Sequence, residues 1–226
     1  RFFEEIRSNP PPLAVIQDVE IVDGEMRDFE DFAIEKSKVL ESRSTFIPPD
    51  TMVCEDCLRE LGAPDDRRYG YPFITCTNCG PRFSIVEDIP YDRDYTTMAT
   101  FEMCDECRRE YEDPANRRFH TQPVACPVCG PRLSLRDHRG AIISEDTDEI
   151  VRFTVSRLRE GSIFAIKGVG GYLLAADATR DDALHTLRER KRRPFKPFAL
   201  MAGSLGMIES FLEVSEKEKE LLLSRE

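Results

Sequence analysis

The chain has 226 residues, of which 40% are hydrophobic and 33% charged, and a formal net charge of −11. This length leaves room for two or three domains, and the composition excludes both a collagen-like repeat and a wholly disordered polymer. The acidic balance opposes a phosphate backbone, so DNA and RNA are poor default partners, and no run approaches the ~20 apolar residues that span a bilayer, so no membrane partner is expected.

The first residues carry a short helical pattern (Phe2, Phe3, Ile6) that Pro10, Pro11 and Pro12 stop, because prolines remove donors and forbid helical continuation. The opening RFFEEIRSNPPP has neither the apolar core nor the cleavage pattern of a secretory signal, which points to a cytoplasmic location where thiols stay reduced. Residues 14–22, AVIQDVEIV, alternate as a half-buried strand; Asp23-Gly24 signals a hairpin turn, and FEDFAIEKS returns with Phe29, Phe32 and Ile34. A helix and two strands bury too little surface to stand alone. Residues 1–48 therefore read as the last part of a small α+β domain, with a polar connector from Lys36 to Pro49.

Residues 49–140 contain an internal repeat. The stretch CEDCLRELGAPDDRRYGYPFITCTNCGPRFSI from Cys54 aligns without a gap on CDECRREYEDPANRRFHTQPVACPVCGPRLSL from Cys104. Both cysteine pairs, the doublets Arg67-Arg68 and Arg117-Arg118, and the Cys-Gly-Pro-Arg sequences coincide. Each repeat, about 54–84 and 104–134, is C-x2-C-x18-C-x2-C, a spacing that lets two turns present four thiolates to one zinc ion. The repeat pattern assigns Cys54, Cys57, Cys76 and Cys79 to one structural zinc and Cys104, Cys107, Cys126 and Cys129 to another. Interleaved wiring, with the first pairs of both repeats sharing a metal, stays open. Four cysteines close the coordination shell, which argues against catalysis at the ions, and four tandem C-x-x-C pairs argue against thioredoxin-like redox chemistry. His120 aligns with Gly70 and His138 follows the second repeat; neither is needed as a ligand, and both read as surface histidines.

From residue 141 to 226 the texture changes to alternating helices and strands, the pattern of an α/β layered domain. DEIVRFTVSRLREG reads as a helix with Ile150, Val151, Thr154, Val155 and Leu158 on one side and Gly161 as its stop. The strand SIFAI, the turn KGVGG and the strand YLLAA follow. Thr179 to Asp182 then starts a helix with Ala183, Leu184 and Leu187 inward, PFALMA reads as a short buried strand, and two helices begin near Ser204 and Ser215. The glycine turn from Lys167 to Gly171 completes neither G-x-G-x-x-G nor a P-loop, and a tight turn is an equal reading. The basic run from Arg188 to Arg193, with Lys196, reads on composition as a solvated helix end, yet beside a glycine turn on buried strands it could line an anion pocket.

The duplicated cysteine pattern, followed by IKGVGGYLLAADA and by LRERKRRPFKPFALM, resembles the HypF carbamoyltransferase family that matures [NiFe] hydrogenases. The resemblance implies an α+β, multidomain architecture: the end of an acylphosphatase-like domain, a duplicated four-cysteine zinc-finger module, and the beginning of a YrdC-like α/β twisted-sheet domain. The acylphosphatase and final transfer sites of such enzymes would lie outside this chain. It further implies conversion of carbamoyl phosphate to carbamate, activation with ATP to carbamoyl-adenylate, and transfer to the C-terminal cysteine of HypE, the precursor of the iron-bound cyanide. On that basis Lys191 and Arg193 are the candidate catalytic residues. Lys167, Gly170, Gly171, Tyr172, Lys191, Arg193 and Lys196 are candidates for ATP and carbamoyl-adenylate binding, with Mg2+ accompanying ATP. The truncated chain is expected to be inactive in the full reaction. A stand-alone zinc-dependent interaction module without catalysis is the alternative. A nucleic-acid-binding zinc protein is disfavoured by Asp65, Asp66, Glu112 and Asp113 beside the arginines, and threonylcarbamoyl-adenylate formation leaves the double zinc region unexplained.

Overall fold

The computed structural model describes residues 2–10, 13, 14, 16–22, 24, 25 and 47–224, which divide into two compact units at Gly130/Pro131. No helix among them is long and apolar enough to cross a membrane.

In the first unit, helix α1 (Phe2–Ser8) forms and ends before Pro10, as the prolines require. The strand expected over 14–22 is not formed among its described residues, of which Ile16, Ile21 and Val22 are exposed. The return over 29–37 lies outside the described residues, as does Asp23.

Residues 51–130 are two copies of one small motif. Helix α2 (Glu55–Gly62) begins at Cys54, which is its N-cap, and places Cys57 in its first turn; α3 (Asp105–Glu112) does the same with Cys104 and Cys107. The second pair of each repeat sits in a knuckle, closed by Cys79 N donating to Cys76 O at 3.3 Å and Cys129 N to Cys126 O at 3.2 Å. The repeats also match in finer ways. Arg68 N caps on Asp66 Oδ1 at 2.7 Å, as Arg118 N does on Asn116 Oδ1 at 2.9 Å. Gly70 and His120 both hold left-handed backbone, φ 65° and 50°, and their amides close onto Leu61 O and Tyr111 O. His120 is thus half-buried rather than a surface histidine, packed against the rings of Tyr111 and Phe119 at 4.8 and 4.6 Å, whereas His138 is exposed as expected, its ring nitrogen accepting from Arg139 Nε at 3.3 Å.

The apolar core of this module is small: Tyr71, Ile74, Ile85, Met98 and Ala125 around the first cysteine cluster, and Val124 beside the second. Such a core depends on its metal for folding energy. The segment between the repeats runs in short 3-10 turns held by Arg93, whose guanidinium donates to Gln122 O, Val124 O and Phe101 O at 2.6, 3.0 and 2.7 Å.

The second unit starts with a hairpin of β1 (Leu135–Arg136) and β2 (Ile142–Ser144), turned by Asp137 to Gly140 with Gly140 at φ 86°. Asp146 caps α4 (Thr147–Arg159) by accepting from Glu149 N at 2.7 Å, and Gly161 at φ 90° ends it. Ile150, Thr154 and Leu158 point inward, but Val151 and Val155 are exposed; the true inward stripe follows i, i+4, i+8 and excludes the neighbours that the sequence suggested. Strands β3 (Phe164–Lys167) and β4 (Tyr172–Ala175) pair antiparallel, Lys167 opposite Tyr172. They form a two-stranded sheet, and Tyr172 and Leu173 are exposed rather than buried. Helix α5 (Asp181–Arg190) begins two residues after Thr179 and buries Ala183 and Leu187. PFALMA is not a strand: among the described residues none pairs with it in a ladder, and Leu200 and Met201 are exposed. Helices α6 (Leu205–Glu209) and α7 (Glu216–Leu223) are capped by Ser204 and by a Ser215–Glu218 capping box, and Lys219 pairs with Glu209 and Glu216 at 2.9 and 2.7 Å.

The glycine after each knuckle is demanded by space. A Cβ on Gly80, already at φ 92°, would lie 2.2 Å from Thr75 Oγ1, and one on Gly130 would lie 2.3 Å from Tyr71 Oη. Gly80→Ala should therefore destabilise the zinc-loaded chain by about 2 kcal/mol or more. Gly70→Ala, strained in backbone but open in space, should cost about half as much; thermal melting of the two variants side by side checks the order.

Candidate metal centres

The four sulfurs of each repeat converge, all within 4.8 Å of one another, and all eight cysteines are free thiols. Neighbouring sulfurs are 3.7 Å apart for Cys54–Cys76 and Cys76–Cys79 and 3.5 Å for Cys79–Cys57. In the second cluster the corresponding separations are 3.8, 3.7 and 3.6 Å. A zinc ion with Zn–S bonds of ~2.3 Å in a tetrahedron needs sulfur–sulfur edges of ~3.8 Å, whereas a disulfide needs ~2.05 Å. Both clusters fit structural zinc, each drawn from a single repeat, as the sequential assignment expects and the interleaved one does not.

Local backbone prepares each set for thiolates. The first pair of each set spans a helix N-terminus, whose dipole favours negative charge. In the knuckles, Asn78 N donates to Cys76 Sγ at 3.4 Å. Burial pushes the Cys126 thiol up, but the Cys129 and Val128 amides more than offset it and hold that thiol down at about 7. Arg82 fixes the first knuckle from its carbonyl side, donating to Cys76 O at 2.7 Å and Thr77 O at 3.1 Å.

The arginine doublets cross between repeats, which the sequence did not suggest. Arg67 donates to Cys107 Sγ at 3.4 Å and Cys104 Sγ at 3.6 Å, both in the second repeat, and Arg68 reaches Cys107 Sγ at 3.4 Å. Arg117, in turn, donates to Cys57 Sγ at 3.1 Å in the first repeat, while Arg118 Nε donates to Thr75 O at 3.1 Å beside Cys76. Two carboxylates close the exchange: Glu110 receives Arg67 and Arg68, and Glu60 receives Arg117 and Arg118. Burial pushes both carboxyls up, but the hydrogen bonds and charges of these arginines outweigh it and hold both below the ordinary glutamate range. Their stabilisation is complete above the unfolded value of ~4.3 and is lost as pH falls through the lowered folded values.

The nucleotide-site candidates lie in the second unit. Gly168 N donates to Gly171 O at 2.8 Å to close the β3–β4 turn, and Lys167 Nζ lies 5.9 Å from the centre of the Tyr172 ring. A Cβ on Gly170 or Gly171 would meet nothing within 4 Å, so no crowding within the chain calls for glycine there. After α5 the chain turns at Arg192, φ 49°, into the basic loop. Arg188 knits that loop by donating to Arg193 O at 3.2 Å and Lys196 O at 3.0 Å, and Arg193 donates to Pro197 O at 2.9 Å, both guanidinium groups lying over Phe198. Lys191 and Lys196 are exposed and have no ion-pair partner among the described residues.

Residues 53–86 and 103–136 match the family model described as HypF finger, and residues 156–226 match the Sua5/YciO/YrdC model described as Telomere recombination. The chain is 49% identical over 223 residues to the carbamoyltransferase HypF of Synechocystis sp. and 50% identical over 226 residues to the probable carbamoyltransferase HypF of Methanocaldococcus jannaschii, covering 99% of the chain but 29% of each relative. Its fold is similar to a crystal structure of full-length HypF in a phosphate- and nucleotide-bound form, with a TM-score of 0.88 and 48% identity over 99% of this chain and 29% of that one. The HypF of T. kodakarensis superposes with the same TM-score at 47% identity, over 99% of this chain and 28% of that one. The chain thus spans under a third of the length of these relatives.

Removing one ligand should remove one metal. Cys76→Ser should lower zinc by elemental analysis from two ions per chain to one. Glu110→Gln leaves Arg68, 1% exposed, without its carboxylate and should destabilise the zinc-loaded chain by about 3–5 kcal/mol in denaturant unfolding.

Proposed function

The chain belongs to the HypF family, and on that premise we propose that it is part of a carbamoyltransferase acting on carbamoyl phosphate and ATP. Its first 48 residues are read as the end of an acylphosphatase-like domain, residues 49–140 as the zinc module and residues 141–226 as the start of the YrdC-like domain. The observation that carries this reading is the uninterrupted order of the two four-cysteine repeats and the YrdC-like segment at about 50% identity to proteins named carbamoyltransferase.

In the proposed sequence, carbamoyl phosphate and water give carbamate and phosphate. The carbamate oxygen then attacks the α-phosphorus of ATP, displacing pyrophosphate and leaving carbamoyl-adenylate. The final acceptor is the C-terminal cysteine thiol of HypE, whose sulfur takes the carbamoyl group while AMP departs, before dehydration toward the cyanide ligand of [NiFe] hydrogenase. Negative charge grows on the departing pyrophosphate, so the second step needs fixed cations and amide donors, with Mg2+ held on the phosphates of ATP.

This chain's own residues suit that step in distinct ways. Lys191 and Lys196 offer exposed ammonium groups to a triphosphate. Arg193, tied by one nitrogen to Pro197 O, retains further donors and fixes the loop that carries the lysines. Lys167 and Tyr172, opposite one another across β3 and β4, would border the small carbamate end, and the open space over Gly170 and Gly171 leaves their amides approachable. The zinc ions serve architecture, since closed four-sulfur shells leave no coordination position for a substrate.

The test is carbamoyl-phosphate-dependent exchange of pyrophosphate into ATP, by a protein carrying this segment within the complete HypF architecture. Lys191→Ala should lower the exchange rate by about 100-fold or more, with zinc content unchanged. Gly170→Ala should leave the melting temperature unmoved yet impair exchange, because its methyl group enters space the chain itself does not use. No exchange in the unsubstituted protein would leave a zinc-dependent interaction module as the better reading.

A further inference from the structure

We propose that the two tetrathiolate centres are one coupled unit, in which the arginine doublet of each repeat forms the outer shell of the other repeat's metal. The two repeats coincide in sequence without a gap, so a doublet that served its own cysteines would satisfy the alignment equally well. The geometry points the other way. All hydrogen bonds from the doublets to sulfur run between repeats: Arg67 to Cys104 and Cys107, Arg68 to Cys107, and Arg117 to Cys54 and Cys57. Among the described residues, no nitrogen of a doublet bonds a sulfur of its own repeat.

Most other side-chain contacts of the doublets also cross, the exception being Arg118 Nη1, 3.9 Å from Glu110 in its own repeat. Arg68 Nε donates to Ala125 O, the residue before Cys126, and Arg118 Nε donates to Thr75 O, the residue before Cys76. Each buried guanidinium therefore braces the entrance to the opposite knuckle as well as its charge. Arg68 and Arg118 are 1% and 4% exposed, so water cannot replace them cheaply. Thr77, inside the first knuckle, completes the link by donating from N and Oγ1 to Arg117 O at 3.2 and 2.6 Å. Glu60 and Glu110 sit at the centre: Glu60 on α2 pairs with the arginines of the second repeat and Glu110 on α3 with those of the first.

Four thiolates around one divalent zinc carry a net charge of about −2, and donors to the sulfurs stabilise that charge and hold the ligands in place. A repeat that loses its metal loses the fold that aims its arginines, and with them the outer shell of its neighbour. Zinc at one centre thus protects zinc at the other. The arrangement is not symmetric, because the second centre receives both arginines of a doublet at sulfur and the first receives one, so emptying the first repeat should expose the second more than the reverse.

The experiment compares the zinc-loaded chain with its R67Q and R117Q variants, both altered at side chains about a quarter exposed and so tolerant of change. Each is treated with excess chelator, and timed alkylation with mass spectrometry reads which cysteines become free. In R67Q, Cys104, Cys107, Cys126 and Cys129 should be released about 10–100-fold faster, before the other four; in R117Q the order should reverse. A double variant C54S/C76S, which empties the first centre, should also hasten release at the second. Release of a variant's own set first, equal release of both, no change in either, or an unaltered second set in the double variant would overturn the proposal. A variant that takes up only one zinc gives the same reading from the start: an empty opposite set supports it, and an empty own set overturns it.

Discussion

Two tetrathiolate charges have to be held inside a module with almost no apolar core, and that constraint organises everything between residues 51 and 130. The chain meets it in three layers. Helix N-termini and knuckle amides face the sulfurs, arginines from across the pseudo-repeat neutralise them, and two glutamates balance the arginines. Each layer is charged, and each is satisfied only by the next. The result is a polar network taking the place that branched aliphatic side chains hold in larger domains, which is stable only when complete.

The same constraint explains why small residues sit where they do. A knuckle must turn tightly enough to point two sulfurs at one ion, so the following residue has no room for a side chain, against Thr75 in one repeat and against Tyr71 and Ala125 in the other. The contacts that crowd Gly80 and Gly130 differ although the motif is the same, and so does the backbone, left-handed at Gly80 and not at Gly130; what the two positions share is the lack of room for a Cβ. The second unit follows other rules. Its helices α4, α6 and α7 are fixed by side-chain caps at Asp146, Ser204 and Ser215, and its strands by hairpin pairing, with Ile150, Ala183 and Leu187 among its few buried apolar residues.

Much of the metal module was legible in the sequence because ligand spacing is local: a C-x-x-C turn and its gapless copy state which sulfurs can meet. The extent of α4 was legible for a similar reason, from its apolar pattern and its stop at Gly161, whereas the helices α2 and α3 that follow Cys54 and Cys104 were not read from the sequence. What long-range geometry decides was not legible. The crossing of Arg67 and Arg117 leaves no periodic trace, and an aligned doublet suggests service to its own repeat. PFALMA reads locally as a strand, but a strand exists only if another backbone pairs with it, and among the described residues none does. Val151 and Val155 were misfaced because an apolar stripe drawn from hydrophobicity alone is wider than the face that Ile150, Thr154 and Leu158 bury. A signal for His120 was present, since alignment with Gly70 marks a position of left-handed backbone, and that conformation turns its ring onto Tyr111 and Phe119.

The basic loop shows a similar division between what composition reports and what the fold assigns. Six cations between Arg188 and Lys196 read as one patch, yet the structure gives them different tasks. Arg188 and Arg193 spend donors on backbone carbonyls and lie over Phe198, which fixes the loop's path after the left-handed turn at Arg192. The forked, delocalised guanidinium suits that bracing, since it can bond two carbonyls and cover a ring at once. Lys191 and Lys196 remain as compact charges at the surface, the form in which a cation can follow a phosphate. In both units, then, arginine builds the scaffold around charge: beside thiolates it closes a metal centre, and beside carbonyls it shapes a loop that leaves its lysines free.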